Sequence, residues 1–121
     1  MASILAVDDS ASIRQAIKIA LTSEGYAVAE AGDGAEGLAK AGSASFDLII
    51  TDLNMPIMDG LTMIRQLRAN ATHTGVPILF LTTESDPEIK AQAKAAGATG
   101  WLTKPFDPEQ LVRIVKKVLA S

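Results

Sequence analysis

At 121 residues the chain has the length of one ordinary domain, large enough to bury a core without disulfide or metal staples. Its 48% apolar and 21% charged residues are a globular balance that excludes a disordered chain. A net charge of −3 with scattered Lys and Arg leaves no footprint for direct nucleic-acid binding, and the absence of cysteine excludes disulfides, thiol nucleophiles and thiolate metal sites. The start, Met1-Ala2-Ser3-Ile4, has no basic region followed by a long apolar run, and no segment approaches membrane-spanning length. A cytoplasmic protein with no membrane insertion is expected.

Taken in order, short apolar runs alternate with helical patterns. Ile4 to Val7 reads as a strand that ends in Asp8-Asp9-Ser10, after which Ile13, Ala16, Ile17, Ala20 and Leu21 recur at helical spacing until Gly25. Ala27 to Glu30 is a weak second strand closed by Gly32-Asp33-Gly34, and Ala35 to Ala41 a short helix with Leu38 on its buried face. Leu48 to Asp52 is an apolar run that suits a strand buried on both faces, and a loop punctuated by Pro56 and Gly60 follows it. A third helix begins near Gly60 with Leu61, Ile64 and Leu67 on one side; Pro77 to Leu81 is the fourth strand.

Asp86-Pro87 supplies a cap and a first-turn proline for the fourth helix, but between Glu88 and Ala96 only Ile89 is large and apolar. So thin a stripe implies weak attachment to the sheet, and it fits an Ala-rich surface helix or a helix that contacts a partner. Gly100 to Thr103 is a short fifth strand. Asp107-Pro108-Glu109-Gln110 then starts a last helix whose stripe is Leu111, Ile114, Val115, Val118 and Leu119. Five strand–helix units predict right-handed crossovers and a mostly parallel sheet, and the chain is about half the length of a closed eight-fold barrel, so an open α/β doubly wound sheet is expected.

In such a sheet the carboxyl ends of all strands lie on one edge. That edge collects Asp8, Asp9 and Ser10, then Asp52 and Asn54, Thr82 and Thr83, and Lys104. Three carboxylates within about 4 Å repel by roughly 4 kcal/mol per pair at an effective dielectric near 20, more than one lysine offsets. All-oxygen ligands without His or Cys therefore point to Mg²⁺, with Mn²⁺ able to substitute. A carboxylate beside Mg²⁺, a lysine and a hydroxyl has the parts for phosphoryl transfer, and the lack of a G-x-x-x-x-G-K loop argues against a nucleotide donor. His73, in the turn before the fourth strand, reads as a solvated loop residue. Replacing Lys104 by Ala is expected to relieve strain and raise stability.

The runs Val7-Asp8-Asp9-Ser10, Thr51-Asp52-Leu53-Asn54-Met55-Pro56-Ile57-Met58-Asp59-Gly60, Leu81-Thr82-Thr83 and Trp101-Leu102-Thr103-Lys104-Pro105-Phe106 together resemble the receiver domain of bacterial two-component response regulators. The resemblance runs from Ile4 to Leu119. It is strongest to the single-domain chemotaxis type, through Asn54 and Glu84, and it implies one receiver domain over residues 1–121. It also implies a flavodoxin-like (βα)5 fold with strand order 2-1-3-4-5.

The family likeness further implies that Asp52 is the phosphoacceptor and that Asp9, Asp52 and the backbone carbonyl of Asn54 bind Mg²⁺, with Asp8 acting through a metal-bound water. Thr82, Thr83 and Lys104 would contact the phosphoryl group, the Lys104-Pro105 bond would be cis, and Trp101 would stand where the family more often has Tyr or Phe as its switch aromatic. The implied partners are a histidine kinase or phosphotransfer protein and a target protein bound at the face of helix 4, strand 5 and helix 5. A monomer that can dimerise on activation is expected, and chemotaxis is one candidate setting. Two related readings remain, a receiver cut from a longer regulator and a phosphate sink without output. A Mg²⁺-dependent aspartyl phosphohydrolase is the rival from another class, though such enzymes carry a second aspartate where Asn54 stands.

Overall fold

The computed structural model describes residues 2–52, 58–69, 76–82, 87–104 and 106–120. Five strands alternate with five helices: β1 (Ser3–Val7), α1 (Ala11–Thr22), β2 (Ala27–Ala31), α2 (Gly34–Ser43), β3 (Leu48–Asp52), α3 (Gly60–Ala69), β4 (Ile78–Thr82), α4 (Pro87–Ala96), β5 (Gly100–Thr103) and α5 (Pro108–Leu119). The strands form one parallel sheet in the order β2-β1-β3-β4-β5. The register pairs Val7 with Thr51 and with Ala31, Asp52 with Leu81, and Thr82 with Thr103, so the carboxyl ends of the strands come out level.

Alternation along each strand divides the core in two. Leu5, Val7, Ile49, Ile78 and Phe80 point to the side covered by α2, α3 and α4; Ile4, Ala6, Leu48, Ile50, Leu79, Leu81 and Leu102 point to the side covered by α1 and α5. Burial on both faces explains why β3 and β4 read as unbroken apolar runs. Among the described residues no helix is long and apolar enough to cross a membrane.

Side-chain caps set three helix starts; that at Asp107 was expected from the sequence, and the one expected at Asp86 lies outside the described residues. Ser10 accepts from the amide of Ile13, Asp107 accepts from that of Glu109 with Pro108 behind it, and Asp33 accepts from Glu36 while Glu36 accepts from Gly32. Gly25 and Gly97, at φ 90 and 112, make the left-handed turns that leave α1 and α4. One helix face differs from expectation, and on another Leu38 faces the core as expected but shares it with smaller residues. Ala16 is exposed, because the buried side of α1 is carried by Ile17 and Leu21. On α2 the buried positions are Gly34, Gly37 and Ala41, and Leu38 is only half-buried. Close approach is the cause: a Cβ on Gly37 would stand 2.9 Å from both the Met63 sulfur and a Val7 methyl. α4 is as thinly held as its composition implied, with Ala93 and Ala96 buried and Ile89 half-buried.

Candidate functional site

The level strand ends bring together Asp8 just past β1, Asp52 as the last residue of β3, Thr82 as the last of β4 and Lys104 just past β5. Asp8 is 1% exposed and Asp52 7%, whereas Asp9 is exposed. Carboxylate oxygens of the three lie within 4.8 Å of one another.

Asp8 is tied from every side. Its amide donates to the carbonyl of Ala31 at 3.0 Å, prolonging the β1–β2 ladder by one residue. One carboxylate oxygen accepts from the Ser10 amide at 2.9 Å and the other from Lys104 Nζ at 2.8 Å. Lys104 gets its reach from the fifth strand: its amide donates to the Thr82 carbonyl at 2.8 Å, which carries the β4–β5 pairing past Thr103 and sends the side chain back across the edge. There the ammonium also stands 3.3 Å from Asp52 Oδ1. Burial works to lower the pKa of Lys104, but the hydrogen bond to Asp8 and the charges of Asp52 and Asp8 outweigh it and hold the ammonium above the ordinary lysine range.

The sequence-predicted residues Asp8, Asp9, Asp52 and Lys104 are therefore one cluster, with buried Thr82 at the end of the neighbouring strand. Asn54, Thr83, Glu84, Pro105, Pro56 and His73 lie outside the described residues. The donor set fits a hard divalent cation: three carboxylates and one ammonium leave negative charge uncompensated, and among the described residues the Asp9 carboxylate makes no hydrogen bond or ion pair. Asp9 is open to solvent.

Trp101 lies one strand away from the cluster, paired with Phe80 in the register and half-buried against the α2–α4 side of the core. The Lys90 ammonium of α4 sits 5.2 Å over the centre of its ring, a cation–π contact. Beside it a groove of about 540 Å³ runs along the edge of β5, bordered by Trp101, Gly100, Ile114, Lys117 and Arg68.

Sequence reasoning missed two contributors. Arg14 donates to the Asp8 carbonyl and to Glu30, and the signal for it was a cation near the start of a helix, where the dipole disfavours one. Gly34 donates its amide to the Met58 carbonyl at 3.0 Å, and a Cβ there would lie 2.2 Å from that oxygen, so the start of α2 braces the chain that leads into α3. No local pattern announces that contact.

The chain matches the model of the response regulator receiver domain over residues 4–116. Among solved structures it is similar to the chemotaxis protein CheY4 of Vibrio cholerae, at 52% identity and a TM-score of 0.94 with 98% of each chain covered. It is also similar to the receiver domain of the sensor histidine kinase PA1611 of Pseudomonas aeruginosa, which holds a magnesium ion in its active-site cleft. Identity there is 31%, the TM-score 0.91, and 99% of this chain and 98% of that one are covered. Protein PilH of Pseudomonas aeruginosa is 35% identical over the full length of both chains. Several other curated relatives are longer, and the chain spans about half of their length.

Proposed function

Because this chain belongs to the response regulator receiver domain family, we propose that it works as a single phospho-acceptor domain in which Asp52 takes a phosphoryl group from the phosphohistidine of a kinase or phosphotransfer protein. The observation that carries this reading is the strand-end cluster: two buried carboxylates from different strands share one ammonium, with a third, exposed carboxylate within 4.8 Å. Such charge is costly to gather unless it serves chemistry.

Asp8, Asp9 and Asp52, with the carbonyl of Asn54, would hold Mg²⁺. When bound, the ion supplies positive charge against the oxygens of the phosphoryl group. An Asp52 carboxylate oxygen attacks phosphorus in line; an O–P bond forms as the donor's N–P bond breaks, and the electron pair leaves with the imidazole nitrogen. Lys104, now shared between Asp8 and Asp52, releases its hold on Asp52 and turns to a phosphoryl oxygen, keeping the transferred charge paired. Thr82 donates its hydroxyl to another phosphoryl oxygen, and Thr83 is assigned a further contact by family likeness. That new bond draws on the end of β4, and Trp101, which pairs with β4 through Phe80, shifts with it.

The face made by α4, β5 and α5, with its groove beside Trp101, then changes affinity for a target protein. Weak attachment of α4 favours this face as the one that moves. The protein acts in the cytoplasm and catalyses only its own phosphorylation and dephosphorylation. Incubation with acetyl phosphate and Mg²⁺ tests the assignment: intact mass should rise by one phosphoryl group, and Asp52→Asn, Asp9→Ala or a chelator should each abolish the gain. Label that persists in Asp52→Asn and maps to Asp8 or Asp9 means a different nucleophile. Steady turnover of small phosphomonoesters would favour a phosphohydrolase instead.

A further inference from the structure

We infer that Arg14 is a positioning residue for the acidic site, holding the Asp8–Asp9 peptide at the tilt that delivers the Asp9 carboxylate to Asp52; the inference rests on the Mg²⁺-binding reading above. Arg14 lies near the start of α1 with a side chain only 20% exposed. Its guanidinium is used as a fork. Nε donates to Glu30 Oε1 on β2 at 3.3 Å, and Nη1 donates to the backbone carbonyl of Asp8. Lys18 Nζ, 3.6 Å from the other Glu30 oxygen, steadies that carboxylate from the far side.

The Asp8 carbonyl and the Asp9 amide belong to one rigid plane. On its N-terminal side Asp8 is fixed by the bond from its amide to Ala31, so the freedom left is rotation of that plane about Asp8. Arg14 grips the plane by its oxygen. Asp8 has Ser10 and Lys104 to hold its carboxylate, but among the described residues the Asp9 carboxylate has no hydrogen-bond or ion-pair partner. The direction in which Asp9 leaves the backbone is thus set by the tilt of the peptide that Arg14 holds.

Charge and position predict opposite signs, which makes the role testable. Considered only as a charge, Arg14 is a cation beside an acidic cluster, and removing it should tighten Mg²⁺ binding. As a strut its removal should weaken binding. Calorimetric titration of the full chain with MgCl₂ decides between them, with urea unfolding in EDTA as the check on folding. The Mg²⁺ Kd is expected to rise about tenfold in Arg14→Ala, the lower end of the cost of losing an outer-shell partner. Arg14→Lys should show most of that loss, because it keeps the charge and lacks the fork, and it carries the test alone if Arg14→Ala does not fold. In metal-free Arg14→Lys the backbone amide chemical shifts of Asp9 should move, while those of α5 stay as in the parent. An unchanged or lower Kd in a folded variant overturns the inference. A parent protein that takes up no Mg²⁺ overturns the metal reading itself, and the inference with it.

Discussion

Asp52→Asn asks whether the acidic cluster is held together at an electrostatic cost. Carboxylate oxygens of Asp8, Asp9 and Asp52 lie within 4.8 Å of one another, and at that separation an effective dielectric near 20 gives about 3.5 kcal/mol of repulsion per pair. Asp52 takes part in two such pairs. Lys104 Nζ at 3.3 Å from Asp52 attracts it, by about 5 kcal/mol on the same scale. The repulsions exceed that one attraction by about 2 kcal/mol, and screening at exposed Asp9, together with the further contact that Asp52 keeps, brings the excess toward about 1 kcal/mol. Without metal, Asp52→Asn should therefore be the more stable protein by about 1–2 kcal/mol, which at this chain length means a Tm higher by several degrees. In Mg²⁺ the order should narrow or reverse. An ion at 100 times its Kd stabilises the parent by about 2.7 kcal/mol, and the variant has lost one anionic ligand. Thermal and urea unfolding in EDTA and in MgCl₂ measure both differences. An Asp52→Asn protein less stable than its parent in EDTA would refute the argument, since the lysine attraction would then outweigh the crowding of carboxylates.

Lys104→Ala should lower stability in EDTA, contrary to the expectation from sequence, because Asp8 is 1% exposed and its carboxylate loses the ammonium that stands 2.8 Å away; urea unfolding reads the sign. The same variant should still bind Mg²⁺ through the carboxylates yet fail to raise target affinity after phosphorylation, measured by pull-down against the phosphorylated parent. The folded state holds Lys104 above its ordinary pKa, so its stabilising effect is complete below about pH 10.4 and fades as pH rises through the folded value. The parent should lose its advantage over Lys104→Gln in that alkaline window, and a constant difference from pH 9 to 11 on the order of assay error would contradict it. Phosphorylation should shift Trp101 emission only part-way, because one new charge-assisted bond to Thr82 is worth about 1.5–3 kcal/mol while a full switch from 1:99 to 99:1 needs about 5.5 kcal/mol. Added target should complete the shift, and an undiminished first step in Thr82→Ala would break the proposed coupling.

The alternation of five apolar runs with five amphipathic stretches determined the parallel α/β sheet, because period and crossover handedness are local properties of the chain. Strand ends could likewise be read from the points where apolar runs meet Asp8, Asp52, Thr82 and Lys104, and the cap Asp107 from its own neighbourhood. The strand order came from family likeness and not from spacing.

Only the tertiary structure decided how the edge is wired. Asp8 and Lys104 meet at 2.8 Å across 96 positions of sequence, so no local pattern could show that Asp8 is the buried, doubly bonded carboxylate and Asp9 the free, exposed one. The full burial of Gly34, Gly37 and Ala41 beside Leu38 on α2 was equally hidden, since it depends on how near Met58 and Met63 come. Arg14 was hidden for the same reason: its partners, the Asp8 carbonyl and Glu30, converge only when β1 and β2 lie side by side. Propensity and period act within a few residues, whereas the energy of a buried charge depends on whatever the fold brings within a few ångströms of it.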